Sequence, residues 1–511
     1  MNFKRNPLTS RLFVIISSAV FWGILAHGMA FFHKFSYHDD TSAFNGVGVS
    51  FPAGRWMLAL MAGFVRKATG GRLYSLPIVN GLFTILCIAL MLYLVYTMTD
   101  LRDPVMCFLV TGIFVTFPAI TSVFGYMFTA PYYYFGMLCG VAGVCVFYRK
   151  KTILSLLACI ALMCCSIGTY QINISACVCV MLLISLQNTL HSQYRPHDLV
   201  KTAAGILLPA AGSLAAYLAV NRLFLNLKGI EMVSDRRNIS GMGMTGIFGY
   251  LGRIAAAYRE FFYPTADCDE NMFPYTARYL HQILIAVCLI LAVWLLIKVY
   301  KENVLKGLTL TVLMAVYPLG AYLVFVMVDR NIIHSVMVFA EAFPFLLAVW
   351  LFENTVSGSN AAAWLKKGGL ILTALLLFMN IRLAGLCYMK ADILQSQAIG
   401  YYNSLASRIR CVKEYTDETP VVYINEDKKE DNSYTGADSW VDSIRILPYG
   451  FSSIVNNYEW KKNMALWTGF KPPVSSSEPY EDSEIVAAMP CYPDDGSIKY
   501  MDGCIVVKFS D

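Results

Sequence analysis

Charge is what this chain has least of. Asp, Glu, Lys and Arg make up 14% of its 511 residues, against about 25% in soluble globular proteins. That shortage excludes an ordinary soluble domain. The net charge is only +6, and the Lys and Arg residues are scattered between apolar runs. No dense basic face is left for nucleic acid. No Gly-rich loop follows a strand, so the usual cradle for nucleotide phosphates is missing. Of the 15 Cys, most lie inside apolar runs, such as Cys139, Cys145, Cys159 and Cys179, where they act as small hydrophobes. Cys164-Cys165 and Cys177-x-Cys179 lack the spacing of a zinc site. No repeat of fixed period and no long low-complexity segment is visible.

What the chain does have is apolar length: 57% of its residues are hydrophobic. Lys4, Arg5 and Arg11 precede the run Leu12–Phe32, which has the charge layout of a signal anchor and reads as a retained first span. Further spans are expected at Leu76–Tyr96, Val105–Ile120, a fourth run ending at Arg149-Lys150-Lys151, Thr152–Ile167, a sixth ending near Gln187, and Ala203–Leu223. Four more follow at Tyr279–Val299, Leu308–Val328, Ile332–Phe352 and Gly369–Met389. The count is about eleven, each close to the length a bilayer requires. Trp56–Val65 and Gly246–Phe262 are apolar but too short to span, and read as interfacial helices. With the N-terminus in the cytoplasm, the short loops Arg149–Lys151, Arg195–Lys201, Lys298–Lys306 and Lys366-Lys367 all fall inside, as the positive-inside rule asks. The loops 33–74 and 224–275 then fall outside.

From residue 390 the composition turns polar. Val421–Ile424 and Cys504–Lys508 read as strands. Residues 390–511 are therefore expected to form a small extracytoplasmic α/β domain after a transmembrane domain, 1–389. One disulfide is conceivable among Cys411, Cys491 and Cys504.

The unusual polar groups collect on the expected outer side. Asp39 and Asp40 stand just past the first span. A carboxylate at a helix centre in a bilayer costs roughly 2.5–3.5 kcal/mol and less toward the surface, so a pair there points to a site. Arg55, the Asp235-Arg236-Arg237 run, the Asp329-Arg330 turn and Arg382 join them. Arginine is the bidentate partner of phosphate, and a carboxylate beside a lipid phosphate can serve as general base to an acceptor hydroxyl. Trp56, Tyr126, Tyr132 and Tyr170 suit the apolar faces of a sugar or a polyprenyl tail. Plainer readings stand beside these. The Asp pair could cap a helix. Arg55 could anchor to head groups beside Trp56. Arg330 could pair with Asp329, and mid-span Glu341 with Arg382 or His334. Gln171 and Asn173 could only bind helices together.

One span, an outer loop with paired acids, many further spans and a soluble outer C-terminal domain together resemble the GT-C class of membrane glycosyltransferases. More narrowly, Asp39-Asp40 followed by Gly54-Arg55-Trp56, the Tyr170-Gln171 turn and the Asp329-Arg330 turn resemble bacterial GtrII-type glucosyltransferases. The resemblance implies a GT-C-like polytopic helical fold in the bacterial plasma membrane. It implies transfer of a hexose, with glucose expected, from a polyprenyl-phosphate carrier to a cell-surface polysaccharide or teichoic-acid-like glycan. Asp39, or Asp40, would be the base. Arg330 would meet the donor phosphate, with Arg382 or Arg236 assisting. Arg55, Trp56, Tyr170, Gln171 and Tyr132 would hold substrate. No cofactor is expected, although a divalent cation beside the Asp pair is chemically reasonable. A flippase for a lipid-linked sugar and a glycan polymerase or ligase are the competing functions.

Overall fold

The computed structural model describes residues 7–35, 51–70, 75–231, 246–264, 275–328, 330, 333–355, 360–426, 455, 459–480 and 482–511. Asp39, Asp40, Arg236 and Asp329 lie outside the described residues. The chain divides into two compact units, Met1–His33 with Asn45–Leu386, and Lys34–Phe44 with Cys387–Asp511.

The first unit is helical. Its elements are α1 (Pro7–Phe32), α2 (Trp56–Ala68), α3 (Pro77–Met98), α4 (Pro104–Thr116), α5 (Pro118–Val123), α6 (Ala130–Lys150), α7 (Ile153–Thr169), α8 (Asn173–His191) and α9 (Pro196–Lys228). They continue with α10 (Ile247–Phe262), α11 (Tyr275–Glu302), α12 (Val304–Ala321), α13 (Val324–Met327), α14 (Pro344–Thr355) and the part of α15 (Asn360–Arg410) up to Leu386. Proline opens several of these helices, where its fixed φ is preformed and its missing N–H costs nothing. Among the described residues nine helices are long and apolar enough to cross a membrane. The expected fifth span, α7, is a shorter apolar helix of 17 residues.

The expected tenth span, Ile332–Phe352, is not one helix. The backbone turns tightly at Ser335–Met337 and again at Phe339–Ala342, and a true helix resumes only at Pro344. Pro344 cannot donate into a preceding turn. Residues Phe339 to Phe343 are all buried, and irregular backbone at membrane depth is tolerated where protein covers it.

Small residues set the helix spacing. Gly136, Gly140 and Gly143 line the face of α6 toward α7, and a Cβ on Gly143 would sit 3.2 Å from the Cα of Cys159. Such close approach is how helices pack where water cannot drive them together. Buried polar side chains add cross-links: Ser18 donates to the Phe108 carbonyl at 2.6 Å, and the His27 imidazole meets the Val115 carbonyl at 2.8 Å.

One end of this unit is closed by charge. Asp103 caps α4 by accepting from the amides of Val105 and Met106. Lys366 of α15 pairs with the same carboxylate. Glu353 of α14 accepts from the amides of Arg102 and Asp103 at 3.0 and 2.9 Å. His191 meets Asn354 at 3.1 Å. Burial works against the ionised Asp103, but Lys366 and the two amides outweigh it and hold the carboxyl below the usual carboxylate range.

In the second unit a three-stranded sheet has the order β1-β3-β2, with β1 (Val421–Ile424), β2 (Ile498–Met501) and β3 (Cys504–Lys508). β1 runs parallel to β3, and β2 antiparallel to it. Leu394, Tyr402, Leu405 and Ile409 of α15 cover one face, over Val421, Tyr423, Ile505 and Val507. Tyr480, Val486 and Met489 cover the other, over Val422, Ile424 and Val506. The described residues of this unit also include the helices α16 (Trp460–Thr468) and α17 (Glu484–Ala487). The Trp460 indole donates to Glu426 at 3.0 Å. Cys411, Cys491 and Cys504 are free thiols, so no disulfide joins them. Lys34 and Phe35 belong to this unit. Gln395 donates to the Lys34 carbonyl at 3.2 Å, and the Phe35 ring stacks on Tyr388.

Candidate active site

The end of the first unit away from Asp103 gathers the aromatic and cationic side chains. It is organised by the turn Phe51–Gly54, closed by the Gly54 amide on the Phe51 carbonyl at 2.9 Å. Gly54 has φ +73°, and a Cβ there would run into the Tyr217 hydroxyl. Only glycine serves both demands at low cost. Gln171 donates to the Ala53 carbonyl at 2.6 Å and to the Tyr217 hydroxyl at 3.3 Å, and that hydroxyl donates to the Gly54 carbonyl at 3.1 Å. Two segments distant in sequence thus grip one turn by its backbone.

The turn delivers Arg55 and Trp56. Trp56 is buried against Gly168, where a Cβ would overlap its ring, and stacks on Phe224 with ring centroids 5.5 Å apart. Arg55 lies on an aromatic pair. Its guanidinium carbon is 4.9 Å from the Tyr170 ring centroid, and its Nη1 donates to the Tyr133 hydroxyl at 3.0 Å. The Tyr133 and Tyr170 rings are stacked at 4.4 Å and 14°. A half-buried guanidinium on such a face gains about 0.5–2 kcal/mol. Asn173 fixes the pair from below by donating to the carbonyls of Tyr133 and Ser166.

A narrow cleft joins this group to the irregular segment before α14. Tyr133, Tyr170 and Asn173 form one wall, and Val336, Met337 and Phe339 the other. Two residues beyond Phe339 stands Glu341, 3% exposed. It lies close enough to Glu260 to feel its charge, and the Tyr322 hydroxyl is its hydrogen-bonding neighbour. Glu260, 5% exposed on α10, accepts from Arg330 at 3.1 Å. Arg253 of the same helix donates to the Val326 carbonyl at 3.3 Å.

Of the residues singled out in the sequence, Arg55, Trp56, Tyr170 and Gln171 are brought together. Arg330 lies in the Glu260–Glu341 group. Tyr132 is half-buried at the start of α6, and its neighbour Tyr133 makes the stack. Arg382 is exposed on α15 and forms no ion pair among the described residues, so Glu341 does not pair with it. Asp39, Asp40 and Arg236 lie outside the described residues. Among those described, no three His, Cys, Asp or Glu side chains converge as a metal site requires.

Tyr217 and Glu260 were not singled out in the sequence. Glu260 carried a signal: Arg253, Ala257 and Glu260 follow helical spacing on the side of α10 that packs inward. Tyr217 carried a weaker one, a polar tip in an otherwise apolar span. Tyr133 was one of three consecutive tyrosines, and spacing alone does not choose among them.

A family model described as Glucosyl transferase GtrII matches residues 28–347, well over half of the chain. The chain belongs to the GtrII glucosyltransferase family. The match begins within α1 and ends within α14, so both the Arg55 cluster and the Glu260–Arg330 pair of this GtrII protein lie inside it. No curated protein matches the chain. Family membership makes this membrane protein a glycosyltransferase of glucosyl-transferring type.

Proposed function

We propose that this GtrII glucosyltransferase moves glucose from a polyprenyl-phosphate carrier to a cell-surface glycan at the outer face of a bacterial plasma membrane, with inversion. The observation that carries the reading is the grouping, in one membrane-embedded unit, of a guanidinium on stacked tyrosines and a second guanidinium held by a buried carboxylate. Stacked aromatic rings suit the C–H faces of a pyranose. A guanidinium suits a phosphate as its charge grows.

In this reading Asp39, or Asp40 beside it, accepts the proton of the acceptor hydroxyl. That oxygen forms the new bond to the anomeric carbon from the face opposite the carrier. The bond from the anomeric carbon to the phosphate oxygen breaks, and its electrons leave on the lipid phosphate. Arg330 holds the developing charge, with Arg382 or Arg236 assisting. Arg55, Trp56, Tyr170, Gln171 and Tyr132 border the sugar. The scheme uses no cofactor, because guanidinium groups balance the phosphate. Residues 390–511 orient the acceptor.

The test is transfer from labelled polyprenyl-phosphate glucose in membranes holding wild type, Asp39→Asn or Asp40→Asn at matched expression. One substitution is expected to abolish transfer, and NMR of the product is expected to show the inverted anomer. A retained anomer overturns the single displacement. Wild type that moves the lipid between leaflets but transfers nothing makes the protein a flippase.

A further inference from the structure

An apolar hollow in the first unit lies between α10, α11, α12 and α14. Its volume is about 430 Å³. Phe261, His281, Leu296, Pro318, Phe345 and Leu351 mark its extent. The one hydroxyl on its wall, that of Tyr258, is already committed to the Ala315 carbonyl at 2.8 Å. From His281 to Leu296 the hollow follows α11 for about 22 Å at 1.5 Å per residue. That is most of the roughly 30 Å thickness of a bilayer's hydrocarbon core. Both α11 and α12 are long and apolar enough to cross a membrane. Leu289 and Val293, on the open edge, are at least half exposed.

A groove of this size, apolar and open along one edge, suits a long apolar chain. Its polar end is indicated by what adjoins the wall. Phe261 faces the hollow, and its neighbour Glu260 holds Arg330. The Phe261 ring also packs edge-on against Tyr322, the residue that meets Glu341. An apolar channel that runs along a membrane helix, with a guanidinium held by the residue next to its wall, matches a molecule with a long hydrocarbon tail and a single anionic head.

We propose that this hollow seats the isoprenoid tail of the lipid-phosphate sugar donor, with its phosphate toward Arg330. The inference rests on the donor class proposed above. The tail binding site consists of the α10 aromatics, the length of α11 and the first turns of α14. Its role is to set the depth and direction of the anomeric carbon. A donor with a long tail therefore gains binding that a truncated donor cannot.

The experiment compares full-length wild type with Ala292→Trp and Ala348→Phe, both of which fill the hollow. Each protein, reconstituted in vesicles, is given glucose on a long-chain polyprenyl phosphate or on short citronellyl phosphate. Both variants are expected to lose roughly tenfold or more in kcat/KM on the long donor, the effect of losing about two buried CH₂ groups. On the short donor they should match wild type, which also shows that they fold. Equal losses on both donors, or none on the long one, overturn the assignment. A second measurement uses wild type and a polyprenyl phosphate carrying a photoreactive group at the tail end, without sugar. Labelling of α11 or α14 that polyprenyl phosphate competes away and phosphatidylglycerol does not is expected. Equal competition by both lipids makes the occupant an ordinary acyl chain and overturns the proposal, as does absence of labelling. Wild type that transfers from neither donor overturns the donor class, while the labelling decides the hollow separately.

Discussion

Arg330 donates to the Glu260 carboxylate at 3.1 Å, joining the turn beyond α13 to the buried face of α10. Glu260 is nearly inaccessible, and Arg330 keeps about a quarter of its side chain exposed. Removing either partner takes a charge-assisted hydrogen bond from the other at a largely buried position. A double-mutant cycle of Glu260→Ala and Arg330→Ala, read by unfolding in detergent, is expected to give a coupling of about 0.5–3 kcal/mol. Arg330→Ala should also lower transfer by about 10²–10³-fold, the loss expected when a donor aimed at developing charge is removed. Additive stabilities would remove the pair from the account.

The Gly54 turn makes a steric prediction. Gly54→Ala meets both a positive φ and the Tyr217 hydroxyl, and should destabilise by more than about 1 kcal/mol. Tyr217→Phe alone removes the hydrogen bond to the Gly54 carbonyl, at about 0.5–1.5 kcal/mol. The double variant should recover part of the Gly54→Ala loss but not all, since the backbone strain stays. Full recovery would mean that the hydroxyl alone dictates glycine.

Arg55 and lysine are not equivalent on the Tyr133–Tyr170 platform. Arg55→Lys keeps the charge but loses the planar fork that spans ring and hydroxyl. Transfer is expected to fall by roughly tenfold, with a smaller fall for Tyr133→Phe, which keeps the stack and removes only the hydroxyl. Initial rates in expression-matched membranes decide it, and a Lys variant with wild-type rates would reduce Arg55 to a bare cation.

Asp103 gives a pH dependence. Its carboxyl is held below the usual range in the folded protein, so the unfolded chain takes up a proton first as pH falls. The stability it supplies is full above about pH 4, near the ordinary carboxylate pKa, and disappears as pH drops through the lowered folded value. Wild type should therefore exceed Asp103→Asn by about 1 kcal/mol near neutrality, a figure kept small by solvent screening. The two should converge in acid, as followed by thermal unfolding in detergent from pH 6 to 3.

Helix length was legible in the sequence because hydropathy reports it directly. The apolar stretches expected at Trp56–Val65 and Gly246–Phe262 are helices at Trp56–Ala68 and Ile247–Phe262. The break between Val328 and Pro344 was not legible: Val336, Val338 and Phe339 are as apolar as any span, and only tertiary packing selects tight turns there. The strands at Val421 and Cys504 stood out by composition, whereas β2, with its exposed Lys499 and Tyr500, did not. At the candidate site, sequence supplied the turns that carry Arg55, Tyr170 and Gln171. It could not supply Tyr217 or Glu260, whose roles depend on which helices become neighbours.

The Asp103 end also has a consequence in time. The amides of Arg102 and Asp103 are satisfied by Glu353, some 250 positions later in the chain, and the Asp103 carboxylate by Lys366, later still. At roughly 5–20 residues per second of synthesis, this hairpin waits about 10–50 s for the groups that finish it. Until then the ribosome-bound intermediate carries an acidic turn with its lysine not yet made. Chains stalled before α15 should therefore be the ones that membrane quality control removes.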